Sequence, residues 1–145
     1  MNLDWLAGFF DGEGSVSCAL SGNQTYVRVS ITQKLKEPLL EIFDAFPEGS
    51  LYSTEKVTIS GKKNGVWVLF YQGSSCVKIL ASLHGRVKVK KVQVEAGLYL
   101  SALIDPADAG RVIDKESSKL RYELAEVITK ANHKEWVPPD AKPVA

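Results

Sequence analysis

The stretch Leu6-Ala7-Gly8-Phe9-Phe10-Asp11-Gly12-Glu13-Gly14 constrains this chain more than any other part of it. It is apolar enough for a core helix, but the small residues at positions 7, 8 and 12 strip side-chain bulk from one side of that helix. Glycine inside a helix costs roughly 1 kcal/mol against alanine, so Gly8 and Gly12, one turn apart, require a packing reason. Close approach of a second backbone supplies one. Asn2 is placed to cap the helix and Gly14 to end it. Glu13 is thereby delivered to the junction as an acid, a combination that points to a shared metal site.

The remaining sequence reads as one α+β domain spanning residues 1–145. A length of 145 residues, 45% of them hydrophobic and 24% charged, fits a single core and not a disordered chain. No apolar run is long enough to span a bilayer, and the N-terminus has no signal-peptide pattern. The expectation is a protein that stays in its compartment of synthesis, a bacterial cytoplasm or an organelle. Cys18 and Cys76 lack metal-ligand spacing and read as reduced core or interface residues. His84 and His133 form no ligand pattern and read as structural, no glycine-rich phosphate loop appears, and no small-molecule substrate is expected. Net charge is only +1, but residues 22–91 carry 11 Lys and Arg against 5 Asp and Glu, a local excess of +6. That middle segment is the candidate nucleic-acid surface.

Periodicity divides the chain further. Ser15 to Leu20 alternates as a strand, Ser21 to Gln24 forms a turn, and Thr25 to Thr32 returns with Val27, Val29 and Ile31 on its apolar face. Pro38 suits the first turn of a helix from Glu37 to Phe46. A second hairpin is expected to pair Ser50–Ser60 with Val66–Gln72 around a tip at 61–65, with Leu51, Val57 and Ile59 inward. Ser53 and Glu55 on the same parity suggest a bulge. Further helices follow from Ser74 or Ser75 to His84 and from Val87 to Ile104, whose early valines read equally as an extended lead-in. An amphipathic helix from Ser117 to Ala131 presents Leu120, Leu124, Val127, Ile128 and Ala131 along one side. The Pro-rich end, from Val137, reads as a tail.

The nonapeptide resembles the signature of the LAGLIDADG homing endonucleases, with identity at Leu6, Ala7, Gly8, Asp11 and Gly14 and Glu13 in place of Asp. The order of elements is similar to that family's αββαββα core over residues 2 to about 104, with a C-terminal helix and tail over 105–145. The resemblance implies a saddle-shaped antiparallel sheet that lies on double-stranded DNA. One signature per chain implies a homodimer whose signature helices pack through Leu6, Ala7, Gly8, Phe10 and Asp11. The implied activity is metal-dependent hydrolysis of both strands of a long, near-palindromic site, leaving short 3′ overhangs, by an intron-encoded nuclease.

By the same resemblance Glu13 is the metal-binding catalytic acid, the Gly12 carbonyl is an additional ligand, and Mg²⁺ is the cofactor. Ile31-Thr32-Gln33-Lys34 is similar to the segment that orients active-site water, which maps to Gln33. Val87 to Gln93 is similar to the start of a later helix carrying a lysine near the scissile phosphate, which maps to Lys90, with Lys88 and Lys91 close in register. Glu37 departs from the pattern, since some single-signature relatives carry arginine there. Base and backbone contacts fall to Ser17, Ala19, Ser21, Asn23, Gln24, Tyr26, Arg28 and Ser30 of the first hairpin. The second hairpin adds Tyr52, Thr54, Lys56, Thr58, Lys62 and Lys63, with Arg28 suited to guanine and Gln24 to adenine. The competing reading is a non-catalytic nucleic-acid binder of the same fold, an intron maturase or a transcriptional regulator.

Overall fold

Asn2 accepts the N–H groups of Asp4 and Trp5 on Oδ1 at 3.0 and 3.1 Å, which starts helix α1 (Leu3–Glu13). The computed structural model describes residues 1–21, 24–57, 59, 63–103 and 115–133. α1 leads directly into β1 (Gly14–Ser21), and β2 (Gln24–Gln33) pairs back on it from Ser21 opposite Gln24 to Gly14 opposite Ile31. Gly14 ends α1 in extended geometry, and its lack of a side chain has a steric reason: a Cβ there would lie 2.3 Å from the buried Phe10 ring.

Helix α2 (Glu37–Ala45) has Pro38 in its first turn and buries Leu39 and Ile42. The second hairpin joins β3 (Ser50–Val57) to β4 (Lys63–Gln72), and β4 also pairs with β2, giving the antiparallel order β1-β2-β4-β3. A short 3₁₀ turn over Gly73–Cys76 leads into α3 (Val77–Leu83), which Gly85 follows at φ +80°, a left-handed conformation that suits glycine. Then come α4 (Lys91–Leu103) and α5 (Lys115–Asn132).

The helices pack on one face of the sheet. Val16, Val27, Val29, Ile31, Leu69 and Tyr71 from the strands join Leu6, Phe10, Leu39, Ile42, Leu80 and Leu100 from the helices in one core. Tyr71 donates its hydroxyl to the Phe46 carbonyl at 2.6 Å, and burial pushes its pKa upward. Cys76 is buried and Cys18 partly so; both are free thiols, and desolvation lifts them to about 12 and about 11. No helix among the described residues is long and apolar enough to cross a membrane.

The structure corrects four local expectations. β4 begins at Lys63, so Gly65 lies in the strand opposite Glu55 and not in the tip. The β3–β4 register is unbroken, with no bulge. Ser53 and Gly65 share the parity of Leu51 and Leu69 yet are exposed, because this end of the hairpin runs past the helices that cover the rest. Ile59 is fully exposed, not inward. On α5 Leu120 is exposed, and the buried positions are Arg121, Ala125 and Ile128; the Arg121 guanidinium donates to the Leu103 carbonyl at 2.8 Å. Of the two readings of Val87 onward, the extended lead-in is the one adopted, since α4 starts at Lys91. The tail from Val137 lies outside the described residues.

Candidate active site and nucleic-acid interface

Asp11 organises the end of α1. Its carboxylate accepts the backbone N–H groups of Lys88 at 2.7 Å, Lys90 at 3.1 Å and Val89 at 3.2 Å, which pins the lead-in to α4 against the helix. Burial pushes the carboxyl pKa up, but these three N–H groups and the Lys90 charge outweigh it and hold Asp11 below the usual carboxylate range. The Lys90 ammonium donates to the Asp11 carbonyl at 2.6 Å. Of the three lysines in register, Lys90 is thus the one drawn to the end of α1, whereas Lys88 and Lys91 are exposed.

Glu13, two residues further on, is exposed at the same helix end. The C-terminus of a helix carries partial negative charge on its unclosed carbonyls, a setting that favours cations. The Gly12 carbonyl belongs to this last turn. Gln33 is the last residue of β2, two beyond Ile31, which faces Gly14 across the ladder, so Gln33 and Glu13 stand at the same end of the β1–β2 pair. Its Oε1 accepts the Lys34 N–H at 2.9 Å. Lys36, beside the glutamate at 37, lies with its ammonium 4.5 Å from the Trp67 ring centroid, a cation–π contact. Among the described residues no three His, Cys, Asp or Glu side chains gather into a metal site.

The residues assigned to a helix interface separate into two sets. Leu6, Ala7 and Phe10 are buried in this chain's own core, and Asp11 is committed to the lead-in of α4, so these four are internal. The open side of α1 carries Gly8 and Gly12, where an added Cβ would meet nothing within 4 Å, together with Trp5 stacked on Phe9 at 5.1 Å between ring centroids.

The side of the sheet away from the helices is uncovered. Register places Ser15, Ser17 and Ala19 of β1 and Tyr26, Arg28, Ser30 and Thr32 of β2 on it, and none of them is buried. Ser15 and Ser30 hydrogen-bond across the strands at 2.8 Å. Arg28 Nε is buried there without a hydrogen-bond partner among the described residues. From the second hairpin Tyr52 and Thr54 lie on the same face, and Thr54 Oγ1 donates to the Val66 carbonyl at 3.3 Å. By register Ser21 pairs with Gln24 at the end of the β1–β2 ladder, Lys56 pairs with Asn64, and Lys63 pairs with Val57. Asn23, Thr58 and Lys62 lie outside the described residues. Among the described residues, no outward position of the four strands holds Asp or Glu. Sequence reading overlooked β4's share of this face, Val66, Val68, Phe70 and Gln72. The uninterrupted apolar run from Val66 to Tyr71 was the available signal, since half of such a strand must face away from a one-sided core.

No family model matches the chain, and no curated protein matches it by sequence. Solved structures do match. It superimposes on the archaeal intron-encoded homing endonuclease I-Vdi141I, complexed with DNA, with a TM-score of 0.69 over 95% of this chain and 88% of that one, at 22% identity. This chain has the LAGLIDADG homing-endonuclease fold. The LAGLIDADG meganuclease I-AabMI, bound to uncleaved DNA, matches with a TM-score of 0.64 at 21% identity; the match covers 86% of this chain but only 44% of that one. The homing endonuclease I-CvuI, in complex with a DNA target in 2 mM Mg, matches with a TM-score of 0.61 at 19% identity over 99% of this chain and 85% of that one. In the LAGLIDADG fold found here, the signature helix is the one whose end carries Glu13 and whose open side carries Gly8 and Gly12.

Proposed function

We propose that this protein is a homodimeric, divalent-metal-dependent endonuclease that hydrolyses both strands of a long, near-palindromic DNA site and leaves short 3′ overhangs. The observation that carries the reading is the convergence at the end of α1: Glu13 is exposed there, and Lys90 is held by its bond to the Asp11 carbonyl. The acid-free outward sheet faces away from the core in the same molecule, and the solved structures of this fold include DNA complexes. Two copies joined through the open sides of α1 would bring two Glu13 carboxylates together.

Glu13 and the Gly12 carbonyl are the residues that would hold a divalent cation, with Mg²⁺ the choice for an all-oxygen donor set. When bound, such an ion neutralises phosphate charge and acidifies water. Lys90 places a fixed cation where charge builds on the phosphate oxygens. Gln33 offers an amide that can accept from or donate to water and so orient it. Arg28 stands partly exposed on the outward face, where its guanidinium can pair with a phosphate or a guanine edge.

The test is incubation of purified protein with a large near-palindromic DNA library and Mg²⁺, with the cut ends sequenced. EDTA and Glu13→Gln serve as controls. Metal-dependent ends at one two-fold-symmetric sequence are expected, and Glu13→Gln should lower cleavage by on the order of 10²- to 10³-fold while binding is retained. Selective binding by the wild-type protein with no cutting of the bound sequence would overturn the nuclease in favour of a regulator or maturase.

A further inference from the structure

Apart from Ala19, the outward face of the sheet is polar on β1 and β2 but carries an apolar stripe on β4. Unbroken register places Val66, Val68 and Phe70 on that face, with Tyr52 opposite Val68. The three β4 residues are partly exposed and Tyr52 is 45% exposed. Core packing does not account for them, because their neighbours Leu69 and Tyr71 are the ones buried against the helices. An antiparallel strand with one wet face normally alternates apolar and polar residues. Here three successive outward positions are apolar, on a face without an acidic strand position and with Arg28 on the next strand.

Resting on the reading of this face as a DNA surface, we infer that the β4 stripe reads thymine C5 methyl groups in the major groove. Thymine is the base that adds an apolar group to the donors and acceptors displayed there. An apolar side chain over a G·C pair strips water from N7, O6 and N4 without replacing the lost hydrogen bonds. Over thymine the same side chain buries a methyl. Alternate residues of a strand are about 7 Å apart, near the length of two base steps of about 3.4 Å, so a β4 laid along the groove would bring its stripe over alternate base pairs and not over one. The target then divides in two, with thymines under β4 and hydrogen-bonded bases under β1 and β2.

The experiment begins by selecting a duplex from a randomised library with the full-length protein, without added Mg²⁺. Each thymine of the selected half-site is then replaced singly by deoxyuridine, which keeps every hydrogen-bonding group and removes the methyl. At positions under β4 each replacement is expected to weaken binding about 4-fold, the equivalent of about 0.8 kcal/mol per buried carbon. Val68→Ser should remove that sensitivity at one position and leave the others, with thermal melting to verify that the variant folds. The deoxyuridine series needs no variant, so it stands if Val68→Ser does not fold. A selected site indifferent to every methyl, or a methyl effect unchanged in a folded Val68→Ser, would overturn the inference and leave DNA binding intact. A library with no enriched sequence would instead overturn the DNA reading itself, and the inference with it.

Discussion

Gly8 and Gly12 differ from Gly14 in what surrounds them, although the three lie within seven residues. A Cβ on Gly14 would collide with the Phe10 ring at 2.3 Å, so the reason for that glycine is inside the chain. At Gly8 and Gly12 a Cβ would meet nothing within 4 Å. Their helix-interior cost is met with no compensating contact within the described chain. One side of α1 is thus explained by the core it packs against, and the other is the side on which the proposed dimer would form. A glycine's purpose is legible only from its neighbours, and identical residues in one motif answer to different ones.

Four substitutions sharpen this contrast, taken from the largest expected effect downward. Phe10→Ala empties a fully buried aromatic site on the inner side and should cost about 3–5 kcal/mol by denaturant titration; a cost under 1 kcal/mol would mean the inner packing is not as described. Gly14→Ala forces a shift at the helix-to-strand junction, with an expected loss of about 1–3 kcal/mol in the same assay. Asp11→Asn weakens three backbone hydrogen bonds and should lose about 1–2 kcal/mol at neutral pH. Its pH dependence has a definite sign. Because the folded-state pKa of Asp11 is depressed, the stabilisation is complete above the unfolded value of about 4 and disappears as pH falls through the folded value. The gap between wild type and Asp11→Asn should therefore close in melts below about pH 4. Gly8→Ala should act in the opposite direction on the isolated chain, stabilising it by up to about 1 kcal/mol. If α1 is the dimer seam, sedimentation should find the same variant shifted toward monomer; an unweakened dimer would place the seam elsewhere.

The two hairpins were not equally legible. In the first, strict alternation over Val27, Val29 and Ile31 named the core face, and all three are fully buried. In the second, Ser53 and Glu55 broke the alternation and suggested a bulge, yet the register runs straight. The cause is coverage, since a strand that outruns its helices can carry polar residues on either parity. Ile59, beyond the end of β3, is exposed. On α5 periodicity found the helix but chose Leu120 over Arg121 for the inner side. A buried arginine is recognisable only when a carbonyl such as that of Leu103 is in reach to receive it.

By itself the sequence determined the signature helix with its Asn2 cap, the two-hairpin order, the apolar face of β2 and the candidacy of Glu13, Gln33 and Lys90. The helix, the hairpins and the apolar face follow from local periodicity and capping chemistry, which act over a few residues, whereas the candidacy of Glu13, Gln33 and Lys90 came with the resemblance of short motifs to the LAGLIDADG family. Tertiary structure alone decided that Asp11 ties α1 to a segment 77 residues away, that Lys90 is the lysine drawn to that helix end, and that β4 turns Val66, Val68 and Phe70 outward. Those outcomes depend on long-range hydrogen bonds and on which face of a strand the helices cover, neither of which a local pattern encodes.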